Sequence, residues 1–67
     1  MNRLTKETAT EIVNALTDAE LIEYAETSEQ FLWADELTSR HDFPNTERNV
    51  DQMEIALDTA ATARVGF

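Results

Sequence analysis

A single glycine and a single proline punctuate these 67 residues, and the glycine, Gly66, stands next to last. Hairpins and tight turns draw on Gly, Asn and Pro, whereas the Ala, Leu and Glu common here favour helix, as Gln does. The chain therefore reads as all-α. At this length it is one domain, residues 1–67, burying only about 60% of the surface its unfolded form exposes. A second copy or a partner adds stability to a core of that size. Its 42% hydrophobic content recurs with helical period, so most of the chain can order, with disorder expected at the two ends.

The spacing predicts three helices, over about residues 6–16, 18–40 and 46–64. Ala9, Ile12, Val13 and Leu16 recur at three and four residues in the first. Thr17-Asp18-Ala19-Glu20 opens the second with a Thr cap and a Glu able to reach back to the cap's own backbone N–H. On a wheel, Leu21, Tyr24, Ala25, Ser28, Phe31 and Leu32 share about a third of the circumference and are expected to face the core. Ile22, Trp33 and Leu37 fall about 100° or more away, which gives one helix two apolar faces. Thr27-Ser28-Glu29-Gln30 reads as a second capping box, so a kink near residue 27 is the alternative to one helix over 18–40. Asp42-Phe43-Pro44-Asn45 ends that helix, and Asn45 or Thr46 caps the third, which places Val50, Met53, Ala56, Leu57 and Ala60 inward.

The charge is as one-sided as the helix content. Fourteen Asp and Glu against five Lys and Arg give a net −9, and between Glu7 and Ser39 nine acids stand with no Lys or Arg. Such a chain repels phosphate and anionic lipid, which argues against direct nucleic-acid or membrane binding. With no Cys, it has neither disulfide nor thiolate-bound zinc. The N-terminal residues lack the apolar run of a signal peptide, and no window approaches the roughly 20 apolar residues of a membrane span. A cytoplasmic protein is the expectation.

No motif points to catalysis, a cofactor or a metal. His41 beside Asp42 is read as a loop histidine at a helix C-terminus, since no nucleophile accompanies it. Neither a di-iron Glu-x-x-His pattern nor the spacing of a calcium loop is present. Asp35, on the wheel within the Leu21/Phe31/Leu32 stripe, is expected at the rim; the alternatives are a pairing with an arginine such as Arg40 or Arg48, or a contact with a partner.

What remains is binding. Glu20, Glu23, Glu26 and Glu29 spiral around the second helix, and Glu36 continues the charge beyond them. With Trp33 and Leu37 they form the expected partner-binding set, since Trp is enriched at interface hot spots while charge attracts and orients; the other reading of the Ile22/Trp33/Leu37 face is core, because a middle helix must contact both its neighbours. The expected function is inhibition or regulation of a protein with a basic surface, the carboxylates standing in for nucleic acid or another anion. In size, charge and helix content the chain resembles virus-encoded inhibitors of nucleic-acid enzymes and antitoxins that neutralise basic toxins. The alternative is a scaffolding or regulatory module acting through homodimerisation, in which acidity serves solubility or salt adaptation.

Overall fold

The computed structural model describes residues 3–67. Among these, four helices form and no strand: α1 Lys6–Asn14, α2 Asp18–Glu26, α3 Gln30–Arg40 and α4 Glu47–Val65. The all-α class holds, and the count of three is corrected to four, because the segment expected as one helix over 18–40 is two, parted near residue 27 where the alternative placed a kink. Expected disorder at the start of the chain concerns residues 1 and 2, outside the described residues.

Threonine starts three of the helices, because its hydroxyl can accept from an N–H that the first turn leaves without a carbonyl. Thr5 Oγ1 accepts from Thr8 N at 3.1 Å, Thr17 Oγ1 from Glu20 N at 3.1 Å and Thr46 Oγ1 from Asn49 N at 3.2 Å. At Thr17 the box is closed, with Glu20 Oε1 accepting from Thr17 N at 2.8 Å.

The expected second helix stops at Thr27, where backbone and side-chain donors take over its last carbonyls. Thr27 turns extended (φ −76°, ψ 145°) while its N–H still reaches Glu23 O at 3.2 Å. Its hydroxyl then accepts from Glu29 N at 3.2 Å, and Gln30 Nε2 donates back to Tyr24 O and Ala25 O at 3.3 and 3.4 Å. Residues 27–30 thus terminate α2 instead of forming the expected capping box, and Glu29 precedes α3 with no side-chain cap. Length argues the same way: a straight helix over 18–40 spans about 34 Å, whereas the 19-residue α4 beneath spans about 28 Å.

The end of α3 is a Schellman turn, with Asp42 N donating to Ser39 O at 3.0 Å and Phe43 N to Thr38 O at 3.2 Å. It requires a left-handed residue, and Asp42 takes that role at φ 65°. A side chain costs about 1 kcal/mol there that glycine does not. Asp42→Gly is therefore expected to stabilise the protein by about 1 kcal/mol, a rise of about 4–8 °C in Tm for a domain of this size, read by thermal circular dichroism.

All three short helices pack on α4, which is the spine of the fold. Val50, Met53, Ala56, Leu57, Ala60 and Ala61 line its inner side, against Leu4, Ala9 and Val13, Leu21 and Tyr24 of α2, and Ala34 and Leu37 of α3. The small residues among them let the short helices approach closely. Asn49, also buried, ties three segments together: Oδ1 accepts from Leu4 N at 3.0 Å, and Nδ2 donates to Pro44 O at 3.1 Å. Arg48 Nη1 adds a 2.7 Å bond to Leu4 O. No described helix is long and apolar enough to cross a membrane.

Candidate functional site: the acidic and apolar surface of α2 and α3

The break at Thr27 redistributes the two apolar stripes. On α2 the stripe that turns inward is Leu21, Tyr24 and Ala25, whereas on α3 it is Ala34, Leu37 and Thr38, with Trp33 half-buried beside them. Each stripe of the expected single helix is therefore cut in two. The unused portions face solvent: Ile22 is 41% exposed, and Phe31 and Leu32 are each 53% exposed. Phe31 and Leu32, expected in the core, are a correction, and the register change at residues 27–29 is its cause.

Trp33 sits half-buried, its ring 5.7 Å from that of Tyr24 in an edge-to-face arrangement at 71°. Leu37, 1% exposed, is a core residue, so its side chain is withdrawn from the surface where it was expected to meet a partner. The expected anchors of contact thus hold the fold, and the exposed apolar side chains of this segment are Ile22, Phe31 and Leu32.

The acids divide by what they touch. Glu20 is committed to the α2 cap, where the backbone N–H and hydroxyl of Thr17 hold its carboxyl below the usual carboxylate range. Because the folded form is the more acidic, this contribution is present above pH 4.5 and is lost as pH falls through the folded value. Asp18 is bound by Arg64, Nη2 to Oδ1 2.6 Å, and Glu36 by Arg40 at 3.3 Å across one exposed helical turn. Asp35 is half-buried, in keeping with a place at the rim, and accepts from Asn45 Nδ2, which also reaches Asp35 O at 2.8 Å, so its partner is an amide and not an arginine. Glu23, Glu26 and Glu29 are exposed and make no ion pair among the described residues. Three free carboxylates thus share the α2–α3 segment with three exposed apolar side chains.

Behind this surface, Tyr24 anchors α2 to α4 by donating its hydroxyl to Asp58 Oδ1 at 2.6 Å. Burial first, then the Asp58 bond and its negative charge, push the phenol well above its usual range. Burial also raises the carboxyl of Glu54, with Asp58 and Asp51 adding to it. For Tyr24 the folded form is the weaker acid, so its stabilisation is complete below pH 10.0, the ordinary tyrosine value, and is lost as pH rises further. Tyr24 is the one tyrosine in the chain. Unfolding in alkali is expected to coincide with tyrosinate absorbance, and Tyr24→Phe to flatten most of the fall in Tm above pH about 10.

Among the described residues, no group of three or more His, Asp or Glu is placed to hold a metal ion. His41 lies exposed at the end of α3, away from any such cluster. A clue to the outward Phe31 and Leu32 lay in Gln30, whose amide can serve α2 carbonyls only if the helix stops before it.

Fold and surface together define a small all-α domain whose α2–α3 segment carries exposed carboxylates and exposed apolar side chains. Comparison with protein-family models, with curated proteins and with solved structures gave no match.

Proposed function

We propose that this chain is a non-catalytic binding protein that occupies a basic surface of a partner protein in the cytoplasm and thereby inhibits or regulates it. The observation that carries the reading is the pairing, on α2 and α3, of unneutralised Glu23, Glu26 and Glu29 with Phe31 and Leu32, each 53% exposed. Carboxylates alone serve solubility. Large apolar side chains held in water beside them serve contact, since burying each on a partner yields about 1.5–3 kcal/mol. The acids attract and orient, as nucleic acid does on the same kind of basic groove, while Ile22, Phe31 and Leu32 supply the buried contact.

This division of labour has a signature. Association driven by exposed charge weakens as salt rises, because charges further apart than about 8–10 Å are screened at physiological ionic strength. Recovery of proteins bound to the tagged chain from cells of its source organism, in low and then high salt, tests it. A basic partner held in low salt and released in high salt supports the reading. Recovery of only acidic partners, or retention indifferent to salt, refutes it.

A further inference from the structure

The geometry points to a second interaction surface, built from other residues: the groove between α1 and α4 pairs with the same groove of a second copy, with the two α4 helices parallel. The groove has a volume of about 300 Å³. Lys6 and Thr10 form its α1 wall, Ile55, Ala56 and Ala60 its α4 wall, and no carboxylate lines it, in a chain of net charge −9. Ile55 stands on its rim 56% exposed, a large side chain beside a trough floored by alanines.

Charge complementarity selects the occupant. At 100° per residue, the groove residues Ala56 and Ala60 lie about 100–140° to one side of Ile55 on α4, whereas Asp51 and Asp58 lie about 40–60° to the other. Both aspartates are exposed. The outer face of α4 is therefore divided, with acids on one flank and the Lys6 groove on the other. A two-fold axis parallel to α4 brings the acidic flank of each copy against the groove of the other, and seats each Ile55 over the partner copy's alanines. The antiparallel arrangement sets the aspartates of one copy against those of the other and is disfavoured.

The register follows from α1. Leu4 N bonds Asn49 Oδ1 at 3.0 Å and Arg64 Nη1 bonds Asn14 O at 3.5 Å, so α1 runs parallel to α4 with Lys6 about level with Asp51 and Gln52. Lys6 makes no ion pair among the described residues. In the parallel pair it meets Asp51 of the second copy. Arg64 is already held by Asp18 and contributes less.

This contact leaves Phe31 and Leu32 free, so the two surfaces stand or fall separately. Sedimentation equilibrium of the full chain tests it. The wild type is expected to dimerise, Ile55→Glu to be monomeric with unchanged circular dichroism, and Lys6→Glu to weaken the dimer about 10-fold or more. Adding Asp51→Lys to Lys6→Glu is expected to restore wild-type affinity, because the swapped pair is again complementary. A wild type monomeric at every accessible concentration overturns the proposal. So does a dimer that ignores Ile55→Glu, or a double variant no tighter than Lys6→Glu alone.

Discussion

Leu57→Ala is expected to remove about 2–5 kcal/mol of stability, the largest loss of any single substitution considered for this fold. Leu57 is fully buried on α4, the helix on which α1, α2 and α3 all pack. Removing its branched end leaves a cavity in the core that the helices share, and large-to-small changes of this kind cost about 2–5 kcal/mol. A domain of 67 residues has roughly 3–10 kcal/mol in total. The expected loss is thus a large part of what there is. Urea titration followed by Trp33 fluorescence reads it directly, because that ring lies against Tyr24 in the folded state. A midpoint within about 0.5 M of wild type contradicts the placing of α4 as the spine, at the m-values usual for small proteins.

The second large effect is on binding and leaves the fold intact. Phe31→Ala with Leu32→Ala removes two half-exposed side chains, so stability is expected to change by no more than about 0.5 kcal/mol each. Affinity for the partner is expected to fall steeply, since truncated anchors at the centre of an interface cost about 2–4 kcal/mol, or about 30-fold to 1,000-fold in Kd. Most of that lies in faster dissociation. Trp33→Ala is the informative contrast. Because Trp33 is half-buried against Tyr24, its loss is expected to lower stability, and any loss of binding should follow the loss of fold. Calorimetric titration beside a melting curve for each variant separates the two.

The legible parts of the fold are those decided within a few residues. Thr17 and Glu20 specify their cap without help from the rest of the chain, and Val50, Met53, Leu57 and Ala60 specify the buried side of α4 by spacing alone. The break at Thr27 is different in kind. Thr27-Ser28-Glu29-Gln30 marks the place, but residues 26–30 contain neither Gly nor Pro and are also compatible with a continuous helix, so local preference leaves both outcomes open. The outcome turns on Gln30 reaching Tyr24 O and Ala25 O, and on whether Trp33 and Leu37 or Phe31 and Leu32 meet α4, which is a tertiary choice. Asn49 was illegible for a related reason: its amide acts on Leu4, 45 positions away.

The same break changes what the acidic segment offers. A continuous helix hides Phe31 and Leu32 and presents Trp33 and Leu37, whereas the observed pair of helices does the reverse. Charge was legible in composition; which apolar side chains accompany it depended on two backbone dihedrals at Thr27. Glu23, Glu26 and Glu29 stay unpaired in either case, because no cation within residues 7–39 can reach them locally.

Association and dissociation rates with the recovered partner, measured across a salt series for three forms of the protein, decide whether α2 and α3 carry the contact. For the wild type, association is predicted to be fast and salt-sensitive. Reversal of the free acids, Glu23→Lys with Glu26→Lys and Glu29→Lys, is predicted to slow association and flatten its salt dependence. Loss of Phe31 and Leu32 is predicted to leave association nearly unchanged and speed dissociation. If both variants associate and dissociate like the wild type at every salt concentration, the α2–α3 surface is not where this protein acts.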